Sequence, residues 1–185
     1  PICEQGKIRG LAQVEVDFTA DYIDYMAEWA RRIEGEVLTS DRPNETMLLL
    51  RKPLGVVAGV LPWNFPFFLI ARKMAPALVT GNTVVIKPSE ETPLNAYLFA
   101  ELLSQTDLPK GVFNLVNGDG PGVGTQLSTH KDVDMISFTG STRAGRAISK
   151  AAAETLKRVT LELGGKGANL IFAEKMADLG AKVRV

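Results

Sequence analysis

Two short stretches of this chain set a polar group where its surroundings would change its chemistry. Val159-Thr160-Leu161-Glu162-Leu163 runs into Gly164-Gly165-Lys166, so one carboxylate stands between leucines at the end of an apolar run. Buried there, desolvation would raise its pKa and suit it to take a proton near neutral pH. Otherwise it would simply pair with Lys166 or Arg158. The two glycines allow a ligand or another backbone to come close. A hundred residues earlier, Leu61-Pro62-Trp63-Asn64-Phe65-Pro66 fixes a side-chain amide between two prolines that lock φ and carry no donor. A rigidly aimed N–H is what a developing oxyanion needs, at roughly 3–4 kcal/mol per donor. A stiff turn plugged by aromatics is the plainer alternative.

Three further loops suit parts of a nucleotide. In Lys87-Pro88-Ser89-Glu90, a donor and an acceptor follow an apolar β run directly, which fits the two hydroxyls of a ribose. An acidic residue in that place holds the 2′-hydroxyl and disfavours a 2′-phosphate; a solvated strand-to-helix loop is the alternative. Gly140-Ser141-Thr142-Arg143-Ala144-Gly145 opens an Ala-rich helix, where free backbone N–H groups and a hydroxyl suit a phosphate. Gly118-Asp119-Gly120-Pro121-Gly122-Val123-Gly124 repeats glycine at every second position. Neither loop has GxGxxG or Walker A spacing, so each alone is a weak signal. Cys3 and His130, each unique, lie in polar segments and support no nucleophile–base pair.

The elements that must place these residues follow from periodicity. Residues 11–33 read as a helix in which Val14, Phe18, Tyr22, Tyr25, Met26 and Trp29 form an apolar stripe, expected to be core. Val37-Leu38 and Met47 to Arg51 read as a hairpin about Asp41-Arg42-Pro43-Asn44. From Gly55 on, short apolar β runs at 55–61, 83–86, 112–116, 135–138, 159–163 and 168–172 alternate with helices. Thr92-Pro93 supplies an N-cap and an N1 proline for one of those helices. Strands that are apolar throughout, separated by helices, indicate a parallel sheet covered on both faces. The predicted class is therefore α/β, a Rossmann-like parallel sheet with helices on both faces plus an extended hairpin arm. The expected divisions are a helical segment over 1–36, the arm over 37–53, the Rossmann-like unit over 54–173 and a remainder over 174–185. In such sheets ligands sit outside the carboxyl ends of the strands, and every unusual residue above follows a strand.

Composition narrows the function classes. The 185 residues are 45% hydrophobic and 23% charged, ordinary for a globular domain. Lys+Arg and Asp+Glu stand at 21 each, which offers no basic footprint for nucleic acid. One Cys and one His exclude a disulfide framework and a zinc site built from those residues. Phe65 to Ala71, the longest apolar run, stops at Arg72-Lys73, far short of the roughly 20 residues a membrane span needs. No signal sequence is visible, and Pro1 does not look like a natural start. A cytoplasmic protein is expected.

Taken in order and near the same spacing, Leu61 to Pro66, Lys87 to Glu90, Phe138-Thr139-Gly140-Ser141 and Glu162 to Lys166 resemble the aldehyde dehydrogenase superfamily. The likeness runs from about Glu4 to Ala173, with Glu174 to Val185 following the pattern less well. The helix over Phe18 to Arg32 is most similar to the lactaldehyde and glycolaldehyde dehydrogenase branch. The resemblance implies that Asn64 is an oxyanion-hole amide and Glu162 the general base that activates a hydrolytic water. It implies a cofactor, NAD with NADP as the alternative. Leu61, Pro62, Trp63 and Leu163 would lie toward the nicotinamide, Lys87 and Glu90 at the adenosine ribose. Ser141 would contact the pyrophosphate, Gly120 and Gly124 would lie on the adenine side, and Ser89, Phe138, Gly140 and Gly164 would be further cofactor-binding residues. It also implies a small aldehyde as substrate and a homo-oligomer joined through the arm.

The same resemblance puts the nucleophilic cysteine on a separate domain, beyond Val185. These 185 residues alone are accordingly expected to show no aldehyde oxidation. Two other readings stay open: a nucleotide-binding module without catalysis, and an assembly piece that works through the 37–53 arm.

Overall fold

Alternation along one strand explains how the layers assemble. In the computed structural model, which describes residues 1–168, strand β3 (Val56–Val60) occupies the middle of a sheet. Its Val57 packs into one core with Leu61, Ile70, Ala71, Met74, Val84, Ile86, Ala96 and Phe99. Its Ala58 and Val60 pack into a second core with Val133, Ile136, Phe138 and Ile148. Successive side chains point to opposite faces, so one apolar run feeds both cores.

The remaining elements follow from β3. Around it run α3 (Phe68–Val79), β4 (Thr83–Lys87), α4 (Pro93–Ser104) and β5 (Phe113–Leu115). Next come a π-helical turn at Gly120–Gly124, α5 (Thr125–Thr129), β6 (Met135–Gly140), α6 (Thr142–Ala153) and β7 (Arg158–Leu163). The sheet order is β5-β4-β3-β6-β7 and all pairings are parallel. Helices α3 and α4 contribute to the first core, α6 to the second, so both faces are covered, as the sequence predicts. The strand expected over 168–172 lies, beyond its first residue, outside the described residues, as do the limit at 173 and the remainder over 174–185.

Gly59 takes part in this packing. A Cβ there would come within 2.7 Å of Ile86 Cδ1 and 3.3 Å of Lys73 Cβ. Its bare backbone lets α3 lie close to β3 and seats Lys73 on the sheet.

The N-terminal part comprises α1 (Ile2–Gln5), α2 (Arg9–Ala27) and a 3-10 turn at Glu28–Arg31. Helix α2 lies against α3, but only in part through the predicted stripe, of which Tyr22 packs against the first core. Val14, Phe18 and Tyr25 are 53–61% exposed, whereas Ala12, Glu15 and Thr19 are buried. The inward face is therefore set by small and polar residues at i, i+3 and i+7, which permit close approach of two helices. Phe18 and Tyr22 border that contact, with ring centroids 4.6 and 5.5 Å from Phe68. Strands β1 (Glu36–Thr39) and β2 (Thr46–Leu49) form the expected antiparallel hairpin, a separate two-stranded sheet whose residues are all exposed. Among the described residues no helix is long and apolar enough to cross a membrane.

Candidate active site

Strand register brings the predicted residues to one edge. Val60 pairs with Lys87 on one side and Phe138 on the other, and Gly140 pairs with Leu163. The carboxyl ends of β3, β4, β6 and β7 are thus level, and Leu61 N–H donates to the Lys87 carbonyl at 3.0 Å. Gly120 and Gly124 follow β5 at the sheet border. The β3–β6 boundary is the point at which successive connections reverse direction, where open α/β sheets bind ligands.

The turn that carries Asn64 is held from behind. Gln5 Nε2 donates to the carbonyls of Trp63 and Asn64 at 2.8 and 2.6 Å, and Lys7 Nζ donates to the Asn64 carbonyl at 2.8 Å. Lys7 also sits 3.8 Å from the centroid of the Phe65 ring and 2.6 Å from Glu15 Oε2. The other oxygen of Glu15 accepts from the N–H groups of Phe67 and Phe68 at 2.8 and 3.2 Å, which closes the start of α3. Trp63, Asn64 and Phe65 themselves are exposed.

Helix starts at this edge differ in what already occupies them. Besides Glu15 on α3, the carboxylate of Glu4 accepts from Leu94 N, Asn95 N and Asn95 Nδ2 and so closes α4. This corrects the expected cap, because Thr92 makes no side-chain capping bond and its hydroxyl is buried without a partner. Asp119 accepts from Gly122 N at 2.8 Å in the π-helical turn. At α6 the only cap is the exposed Ser141 hydroxyl, which accepts from Ala144 N at 3.2 Å. Anion-binding capacity is therefore left at α6 and removed at α3 and α4.

Lys87 is 2% exposed, and its ammonium donates to the Pro88 carbonyl at 2.6 Å and to Glu90 Oε2 at 3.4 Å. Glu90 is held below the usual carboxylate range, first by its own backbone N–H and then, against some desolvation, by the Lys87 charge. It stays ionised and half exposed, an acceptor beside a fixed donor. Ser89 is nearly buried, and its hydroxyl accepts from Glu91 N within the turn. The Phe138 ring lies in the second core, leaving only its backbone for the edge.

Glu162 is not buried. Its side chain is 61% exposed on the border strand β7, and its partner is Arg72 of α3 at 3.6 Å, not Lys166 or Arg158. Leu161 and Leu163 are 37% and 40% exposed, so among the described residues nothing covers this end of the strand. The condition of burial is thus not met among the described residues. What is desolvated is the neighbouring Lys73, whose pKa is lowered to about 8 by burial first and Arg72 second, against the attraction of Glu162. The unfolded chain therefore binds more protons than the folded one between about pH 8 and about 10.5. The cost of burying this lysine is full below pH 8 and is relieved as pH rises through that window. Lys73→Met is expected to raise stability most near neutral pH, with the advantage over the parent shrinking by pH 10.5 in urea titrations. An advantage independent of pH would refute the assignment.

Cys3 is exposed on α1, and His130 Nδ1 accepts from Asp132 N at 3.2 Å; neither joins this edge. The residues that sequence reasoning missed are Gln5, Lys7, Glu15, Arg72 and Lys73. For Glu15 a faint signal exists, a carboxylate one turn from Ala12 and from Thr19 on a face otherwise free of charge.

Comparison with known proteins places this geometry. The profile of the aldehyde dehydrogenase family matches residues 2–185, so the likeness continues through the last dozen residues and does not fade at Ala173. The chain is 58% identical to lactaldehyde dehydrogenase of Escherichia coli (strain K12) over 98% of its own length and 38% of that protein's. A crystal structure of lactaldehyde dehydrogenase from Escherichia coli superposes with a TM-score of 0.87 at 63% identity, covering 88% of this chain and 34% of that one. Betaine aldehyde dehydrogenase from Staphylococcus aureus, solved in complex with NAD+, superposes at 0.86 with 38% identity, over 89% and 33%. The chain thus spans about a third of the length of the relatives it matches, and it belongs to the aldehyde dehydrogenase family.

Proposed function

We propose that this chain supplies the NAD site, the oxyanion donor and the general base of an enzyme that oxidises an aldehyde to a carboxylic acid. One observation supports the cofactor reading beyond family membership. Of the long helices that begin at the carboxyl edge, α3 and α4 are closed by Glu15 and Glu4, while α6 begins at an exposed Ser141. A pyrophosphate would be repelled at the first two and accepted at the third. The Lys87–Glu90 pair offers a donor and an ionised acceptor for ribose hydroxyls, which favours NAD over NADP. Leu61, Pro62, Trp63 and Leu163 would face the nicotinamide and Gly120 and Gly124 the adenine side; Gly140 and Gly164 belong to the same edge, with Ser89 and Phe138 holding the turn and strand beneath. When bound, NAD supplies the hydride acceptor.

The chain's own residues do the rest of their share. The Asn64 amide donates to the oxygen that becomes negative when a thiol, outside these residues, adds to the aldehyde carbon. Glu162 takes a proton from water, whose oxygen attacks the resulting acyl carbon. The relative's name supports a short hydroxyaldehyde as substrate class. The exposed apolar hairpin, with Val37 and Leu48 more than 60% exposed, supports a homo-oligomer formed through the arm, and a cytoplasmic setting is consistent with the absence of any described membrane helix.

Ser141→Asp tests the cofactor site. A carboxylate at the start of α6 meets the pyrophosphate with like charge, a clash of several kcal/mol, so calorimetry should show NAD affinity reduced by ~10²-fold or more. Unchanged affinity would move the pyrophosphate away from α6 and defeat the reading.

A further inference from the structure

We infer that Gln5, Lys7 and Glu15 are positioning residues for the Asn64 amide, a role that rests on the reading of Asn64 as oxyanion donor. Backbone groups of Trp63, Asn64, Phe67 and Phe68 are each bonded to one of these three side chains. The contacts come from 52 to 59 residues earlier in the chain, so the turn is not fixed by its own sequence alone. Its prolines set two φ angles, but Trp63, Asn64 and Phe65 between them are exposed. The Asn64 carbonyl accepts from both Gln5 and Lys7, which fixes the peptide plane that follows Asn64 and so the backbone frame from which its side chain is carried.

Lys7 joins the parts of this brace. Its ammonium bonds the Asn64 carbonyl and the Glu15 carboxylate and lies over the Phe65 ring. The Lys7 and Glu15 side chains are 9% and 0% exposed, so water offers neither an adequate substitute. Glu15 in turn anchors the helix that follows the turn, which fixes the far end of the same segment. An oxyanion donor misplaced by about an ångström loses most of its effect, so a brace at this distance acts on the chemical step and leaves cofactor affinity alone.

The test uses the full-length enzyme carrying this chain, with Asn64→Ala as reference. Asn64→Ala should lower kcat ~10²-fold or more. Gln5→Ala removes two bonds to the turn without breaking the buried ion pair, and should lower kcat ~10-fold with NAD affinity within about twofold. In the Asn64→Ala background Gln5→Ala should cost less than about twofold, because both act through one group. Hydrogen exchange at Trp63 to Phe68 should quicken in Gln5→Ala and in Glu15→Gln, a readout independent of turnover; should Glu15→Gln not fold, Gln5→Ala carries the test. A full kcat in Gln5→Ala, or the same loss with and without Asn64, would overturn the positioning role while leaving the oxyanion role intact. An unchanged kcat in Asn64→Ala would instead remove the oxyanion role, and the positioning role with it.

Discussion

Glu162→Gln is expected to abolish turnover while sparing the first half of the reaction. Glutamine keeps the size of the side chain and can still meet Arg72, but it cannot take a proton from water. Loss of a general base costs ~10²–10⁴-fold in rate. If Glu162 serves only the hydrolytic step, rapid mixing of the full-length variant with aldehyde and NAD should give a burst equal to one turnover per site at the parental rate, followed by a nearly flat steady state. Equal slowing of both phases would assign Glu162 to the attack on the aldehyde instead. Its geometry suits that role: the carboxylate is exposed, and its one ion pair among the described residues is a loose 3.6 Å contact with a half-exposed arginine. A pair of that kind is worth at most about 1 kcal/mol, little to give up when a water must be reached.

Lys7→Met should produce the largest loss of stability. The variant leaves the Glu15 carboxylate with no side-chain exposure and only two amide donors, and breaking a buried pair from one side costs about 3–5 kcal/mol. Set against a total stability of about 5–15 kcal/mol, that is enough to unfold a marginal domain. Arg32→Met is the control, because Arg32 and Glu28 form an i,i+4 pair at 3.5 Å with both side chains about 60% exposed. Denaturant titration should show a change there of less than about 1 kcal/mol. Lys7→Met/Glu15→Gln should recover a large part of the loss. A Lys7→Met midpoint equal to the control's would mean that Glu15 reaches water in solution.

These two residues also show what was legible in the sequence. Glu162 stands between two leucines beside a glycine pair, a pattern that marks it whatever its burial, and the strand beneath it is predicted from five consecutive residues. Whether it is buried or paired is left open by the sequence, because β7 lies at the border of the described sheet and periodicity cannot tell a border from a centre. The parallel sheet and its helices were legible for the opposite reason: Val57 and Ala58 feed different cores, so β3 must be apolar throughout, and that shows directly in the string. Glu15 left almost no trace. Its burial depends on Lys7, two N–H groups 52 and 53 residues away and the small size of Ala12, none of which is a local pattern. The aromatic stripe on α2 misled for the same reason, since hydrophobicity alone cannot show that the narrower face is the one that meets α3.

The carboxylates at the starts of α3 and α4 also impose an order on folding. Glu4 finds its partners 90 and 91 residues later, and Glu15 finds its own only after Phe67 and Phe68 exist. The Glu4 and Glu15 carboxylates therefore gain these partners only once β3, α3, β4 and the start of α4 are available. Contacts so distant in sequence form slowly, because the loop they close must lose its freedom first. Pulse-labelling during refolding should find the amides of Phe67 and Phe68 protected after those of β3 and β4; simultaneous protection would argue against it. On that order the helices that carry Glu4 and Glu15 dock after the sheet, as a latch that engages once the part it fastens is in place.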